Sequence, residues 1–248
     1  MTVIDRPPPV TEAATTQSKE KRLVWDLPVR LFHWSLVVSF VGAYVTNRLG
    51  VAWFDWHVRF GYAVLALVLF RILWGVFGAE HARFSSFLRH PREAWLYARR
   101  LLRGEAPRYA GHNPLGAIMV VALLLGLSSQ AIMGLFANDE IFNAGPFAGA
   151  VSKETSLLLT SLHKRGFYVL AAAVFVHIVA VIAYVTVKRE DLLRAMVTGR
   201  KSAAAVHPKD EIASSRLPLA ASLFVLVVVA LAVLTSLAPV DAAGGDAF

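Results

Sequence analysis

The sequence predicts an all-α integral membrane protein, a helical bundle with a four-helix core and a fifth, C-terminal transmembrane helix. Composition is the first observation. Of 248 residues, 56% are hydrophobic and only 17% are charged, against roughly 25% charged in a soluble domain. Hydropathy is the second. Five long apolar segments interrupt the chain, and a bilayer core requires an apolar run of about 20 residues. Charge placement is the third, because Lys and Arg collect in alternate loops.

The segments follow in order. The first covers 31–45 and is short, with Trp25 and Arg30 as interfacial flanks. The second, 57–77, carries one interior charge, Arg71. The third, 114–136, is uncharged. The fourth covers 162–187 and opens on His163, Lys164 and Arg165. The fifth, 217–238, has neither charge nor His. Segment 1–30 lacks an apolar h-region, so we expect no cleavable signal peptide, and a disordered cytoplasmic tail over 1–22. The expected organisation is then a core domain at 23–201, a cytoplasmic linker at 202–216, a fifth helix at 217–238 and a periplasmic tail at 239–248.

Segment 79–110 contains seven Arg, segment 188–216 seven Lys plus Arg, and segment 1–30 five. The intervening loops hold only Arg48 in 46–56 and Lys153 in 137–161. The Lys/Arg excess belongs on the cytoplasmic side, which predicts a bacterial inner-membrane protein with a cytoplasmic N-terminus and a periplasmic C-terminus. The net charge of +8 is accounted for by this topology, and no nucleic-acid partner is expected. Cysteine is absent, which excludes disulfides, iron–sulfur clusters on thiolates and covalent c-type haem.

Four of the eight histidines lie in or at the edge of spans, where ionisable side chains are costly and usually functional. His163 and His177 share the fourth segment. At about 100° and 1.5 Å per residue, the step from one to the other leaves them within roughly 40° of one helix face and about 21 Å apart along it. The predicted topology sets His57 level with His163, and His33 near the depth of His177. Two stacked bis-imidazole sites follow, pairing His57 with His163 and His33 with His177. Haem iron accepts such axial ligands, so the expected cofactors are two haem b. A single zinc or copper site needs ligands converging at one depth. Arg71 is spaced from His57 as His177 is from His163, and so shares its face. It is either a partner for a haem propionate or a cation snorkelling to the interface. Arg30 and Arg59 are further propionate candidates.

At these residues the chain resembles a known family. VWDLPVRLFHW at 24–34, HVRFGY at 57–62, RILWG at 71–75, HNPLGA at 112–117, LHK at 162–164 and MVTGRK at 196–201 are similar, in order, to motifs of the bacterial cytochrome b-561 and nickel-hydrogenase cytochrome b-subunit family. The resemblance implies a four-helix di-haem membrane anchor exchanging electrons with quinone. By position it carries ligand roles to the same four residues, His33, His57, His163 and His177. The fifth span departs from shorter members.

Other residues have plainer assignments. Asn113 and Pro114 read as a helix cap and first residue, and we prefer that structural role to ligation for His112 beside them. His81, His90 and His207 are expected to be solvated. Met119 and Met133 are expected to pack rather than ligate, and Gln130 to bond a neighbouring helix rather than a haem or quinone. The aromatics around 53–56 fit an interfacial belt.

The expected function is electron transfer between membrane quinone and a periplasmic c-type cytochrome or oxidoreductase subunit, in contact with membrane lipid. The alternative is a self-contained quinone-reducing oxidoreductase, such as a superoxide oxidase. The upper haem, at His57 and His163, would meet the protein partner beside Asp55, Asp139, Glu140 and Glu154. The lower haem, near Arg71, would meet quinone.

Overall fold

The computed structural model describes residues 20–141 and 143–238. A short strand, β1 (Lys21–Leu23), leads into α1 (Leu27–Arg48). Then come α2 (Phe54–Phe77), a surface helix α3 (Pro91–Leu102), α4 (Pro114–Leu135) and α5 (Lys153–Thr186). The short α6 (Leu192–Thr198), strand β2 (Arg200–Ser202) and α7 (Leu217–Ser236) complete the fold. Among the described residues, five helices are long and apolar enough to cross a membrane: α1, α2 with its preceding turn, α4, α5 and α7.

Capping residues set the helix starts. The Asp26 carboxylate accepts from Val29 N at 2.7 Å, with Pro28 in the first turn of α1. Asn113 accepts from Gly116 N at 2.8 Å ahead of Pro114, the expected cap. Ser152 caps α5 through Thr155 N. That cap lies well before 162, where hydropathy places the span. The first two turns of α5 carry Lys153, Glu154 and Thr155, which a hydropathy criterion rejects and a capped helix tolerates. α1 likewise extends past both ends of its apolar stretch.

α2 is the centre of the bundle. It buries Val64, Leu65, Leu67, Val68, Phe70 and Trp74 and packs on α1, α4 and α7. α5 packs chiefly on α4. α7 reaches α2 through Phe224, edge-to-face on Phe70 at 5.8 Å between centroids, and buries Ala220 and Val227. The outward faces carry Val38, Leu125, Phe175 and Leu226, all exposed, as a lipid-facing surface requires.

The three basic segments meet at one end of the bundle. β1 pairs antiparallel with β2, Leu23 opposite Arg200. The Gly199 carbonyl accepts from Val24 N at 2.8 Å and Trp25 N at 3.0 Å. Gly199 ends α6 at φ 80°, and a Cβ there would lie 2.6 Å from Trp25 O, so only glycine fits. Lys21 and Arg22, expected in the tail, therefore lie in or beside a sheet; residues 1–19 and 239–248 fall outside the described set. Segment 202–216, expected as a linker, buries Val206 in the core of the bundle and Ile212 beside β1, where its N–H donates to Leu23 O at 3.0 Å. Arg22 donates to Val206 O, and Arg216 donates to Phe77 O at 3.0 Å, at the end of α2.

His81 is a correction. Its ring is part-buried, and its Nε2 donates to Asp210 O at 2.7 Å, because segment 202–216 lies against it. His90 and His207 cap short helices through Nδ1, with backbone N–H donors at 3.2 and 3.3 Å.

Asp26 joins two spans. Besides capping α1, its buried carboxylate accepts from Trp74 Nε1 at 3.2 Å, and Trp74 is fully buried. Burial pushes the Asp26 carboxyl above its ordinary range. Asp26→Ala removes the cap and leaves a buried indole donor unpaired, and the expected cost is roughly 2–4 kcal/mol. Asp26→Asn keeps an acceptor and should cost less. Thermal unfolding in detergent checks this; equal midpoints for Asp26→Ala and wild type would contradict it.

Candidate haem site

His57 sits in the first turn of α2, and His163 lies in the third turn of α5. Their ring centroids are 6.1 Å apart with planes at 88°. Two imidazoles bound in line to one metal through Nε2, with bonds near 2.0–2.1 Å, have centroids roughly 6 Å apart. The other ring nitrogens are already engaged. His57 Nδ1 bonds Ala43 O on α1 at 2.8 Å, and His163 Nδ1 bonds Gln130 O on α4 at 2.9 Å. A carbonyl only accepts, so each Nδ1 carries the proton and each Nε2 presents a lone pair, which is how metal-ligating imidazoles are oriented.

Gln130 answers with Nε2 donating to His163 O at 2.7 Å, the helix contact expected of it. One turn further along α4, a Cβ on Gly134 would meet His163 Cε1 at 3.2 Å. Glycine there lets the imidazole lie against the helix.

His33 lies in the second turn of α1, its Nδ1 enclosed and without a partner and its ring edge-on to Trp34 at 5.0 Å. His177 is on α5, which runs unbroken from His163, so the two are separated by about 21 Å along the axis. The step from His33 to Ala43 on α1 covers about 15 Å along that helix. His33 and His177 thus both lie well removed, along their helices, from the His57–His163 pair. Among the described residues no three His, Asp or Glu converge on one metal position.

The arginines separate. Arg71 is 3% exposed, which overturns the snorkelling alternative, because the 79–110 segment covers it. Its guanidinium lies 5.3 Å from the Phe84 ring and 6.0 Å from Phe87, and its Nη1 has no partner. Arg30 donates from Nη2 to Val197 O at 2.6 Å and keeps an enclosed, unpartnered Nε. Arg59 stands at the opposite end, 4.9 Å over Trp56, and lines a cleft of about 370 Å³ with Asp55, Tyr62 and Asn143.

At the basic end sequence reasoning passed over Asp26 and gave His112 only a structural role. Asp26 carries a legible cap signal, an acid just before a Pro-containing helix start. His112 packs against Trp25 at 4.7 Å and Phe87 at 4.6 Å with Nδ1 unpartnered. Burial and the nearby Arg71 and Lys201 cations push its pKa down to about 3, so it is neutral at physiological pH.

A buried apolar bundle with histidines at two levels, imidazoles presenting Nε2, and an orphaned buried guanidinium fits haem: nitrogen ligands for iron and a cation for a propionate. This is the constitution of a membrane-embedded b-type cytochrome. The profile of the prokaryotic cytochrome b561 family matches residues 24–199, and the chain belongs to that family. It is a multi-pass membrane cytochrome b that carries electrons. Similar proteins include the probable Ni/Fe-hydrogenase B-type cytochrome subunits of Azotobacter chroococcum mcd 1, 25% identical over 71% of this chain and 86% of that one, and of Cupriavidus necator, 26% identical over 76% and 90%. The same subunit of Rhizobium leguminosarum bv. viciae is 26% identical over 72% and 87%. No solved structure matches the chain. α7 lies beyond the matched residues.

Gly134→Val should push the His163 ring off its carbonyl and lower haem b content in the reduced-minus-oxidised spectrum. Gly126→Ala meets only Leu170 Cδ1, at 3.1 Å, a side chain that can turn aside, and should leave the spectrum intact. Equal spectra for both variants would contradict a role for the His163 position.

Proposed function

We propose that the chain holds two haem b groups, one ligated by His57 and His163 and the other by His33 and His177, and passes electrons between membrane quinone and a redox protein. The observation that carries this reading is the facing His57–His163 pair with both Nδ1 atoms tied to backbone. Haem supplies the one-electron chemistry; the protein sets ligation, burial and spacing. Ala43 O and Gln130 O hold the first pair of rings in their ligating tautomer. α5 spaces the second ligand about 21 Å away, so the two levels divide the bilayer between them.

The Lys/Arg distribution supports a bacterial inner-membrane protein with the basic end cytoplasmic. On that orientation the His57–His163 level lies near the periplasm. Asp55, Asp139, Glu154 and Glu140, the last paired with Lys153 at 2.7 Å, lie at that end and give a surface able to steer a basic partner. The relatives are named as hydrogenase cytochrome subunits, which favours an oxidoreductase subunit over a c-type cytochrome as that partner. Quinone would exchange electrons at the His33–His177 level, approached from the bilayer beside Trp34, which is exposed on α1. Residues 23–201 form the cytochrome domain, and α7 is an added fifth span.

A pyridine haemochrome assay should return two haems per polypeptide, both low-spin. In potentiometric titration His57→Ala and His163→Ala should remove one redox component, and His33→Ala and His177→Ala the other. Loss of the same component from His33→Ala and His163→Ala would overturn the pairing. A phosphatase reporter fused after α7 should be active, because five crossings from a cytoplasmic start end in the periplasm; a well-expressed but inactive fusion would overturn that topology.

A further inference from the structure

Arg30 Nε and Arg83 Nε are enclosed without a partner, and so, among the described residues at the basic end, are two further side-chain nitrogens, Arg71 Nη1 and His112 Nδ1. The enclosure of the last two is shared. Phe87 lies 6.0 Å from the Arg71 guanidinium and 4.6 Å from the His112 ring, with Phe84 closing the Arg71 side and Trp25 the His112 side. The nearby acid, Asp26, has its carboxylate committed to Val29 N and Trp74 Nε1. It forms no ion pair with Arg71, since the ion pairs found among the described residues join only Arg108, Lys153 and Lys188 to Glu140 and Glu190. A buried guanidinium with a free N–H calls for an anion. The His112 imidazole, which shares the Phe87 wall with it, adds a second donor when its proton sits on Nδ1, at little further charge cost. Arg71 lies almost four turns beyond His57 on α2, about 21 Å along the axis, which sets this corner beside the His33–His177 level rather than the His57–His163 level.

We propose that Arg71 and His112 form a clamp for a single carboxylate, and that the carboxylate is a propionate of the haem held at the His33–His177 level. The inference rests on the two-haem reading above and adds His112 to it as a positioning residue. The guanidinium supplies the charge-assisted bond, and the His112 Nδ1–H fixes the second oxygen. The aromatic walls exclude water, which strengthens both bonds. Arg30 stands apart, because its Nη2 is committed to Val197 O.

The test uses the full-length protein carrying its haems. Redox-induced infrared difference spectra and potentiometry are recorded for wild type, Arg71→Gln, Arg71→Lys, His112→Asn and the Arg71→Gln/His112→Asn double variant. Arg71→Gln should lower the reduction constant of the His33–His177 component about tenfold, about 59 mV for a one-electron couple, because a cation favours the reduced, less positive haem. Arg71→Lys should keep most of the potential yet shift the carboxylate bands, having lost the planar fork. His112→Asn should shift the same bands, and the double variant should fall short of the sum. An unchanged His57–His163 component in each variant shows that the bundle is folded. Bands insensitive to His112→Asn, additive effects, or effects confined to the His57–His163 component would overturn the clamp. So would bands that respond to a quinone-site inhibitor in wild type alone, which would make the occupant quinone. A wild-type protein with fewer than two haems would instead remove the reading on which the clamp rests, and the clamp with it.

Discussion

Two main-chain carbonyls hold the facing His57 and His163 rings in place. In a helix each carbonyl uses one lone pair on the N–H four residues ahead and keeps a second. Ala43 on α1 gives its second lone pair to His57 of α2, and Gln130 on α4 gives its own to His163 of α5. Each bond crosses between neighbouring helices, so each fixes the relative height of a pair of spans as well as the tautomer of a ring. A slide of one residue in either pair would break the bond and turn the imidazole away. In a bilayer there is no water to replace it. Gly134 and the return bond from Gln130 Nε2 to His163 O serve the same register.

The basic end shows cations in a second role. Lys and Arg that mark topology in the sequence are drawn onto exposed carbonyls in the structure. Lys201 Nζ donates to Ala110 O at 2.7 Å, Arg216 to Phe77 O, and Arg30 to Val197 O. Carbonyls such as Phe77 O, at the close of a helix, lack intrahelical partners and attract positive charge. Burial pushes the Lys201 amine below its ordinary range, a cost offset by these bonds and by the field of Glu190. Arg71 is different in kind, because it is buried among rings with a donor unpaired.

α7 stands outside the family match, yet it is not a loose appendage. Its Phe224 meets Phe70 on the central helix, and Arg216 at its start reaches the end of α2. It covers one flank of the helix that carries His57 and Arg71. The buried residues of α2, the most enclosed of the spans, follow from cover on this flank together with α1 and α4.

The five spans, the gathering of Lys and Arg in alternate loops and the axial step from His163 to His177 were legible in the sequence, because each depends on composition or on spacing along one helix. The step from His163 to His177 on α5 means the same axial distance in any bundle. Span edges were less legible: the polar first turns of α5 are held by a Ser152 cap that hydropathy does not register. The burial of Arg71, the bond from His81 to Asp210 O, the folding of segment 202–216 onto the bundle and the meeting of His112 with Arg71 at Phe87 could not be read from order along the chain. These depend on where residues distant in sequence come to rest. A polar side chain looks equally soluble in a loop or beneath one, and only the folded chain decides whether water or a carbonyl from another segment completes its hydrogen bonds.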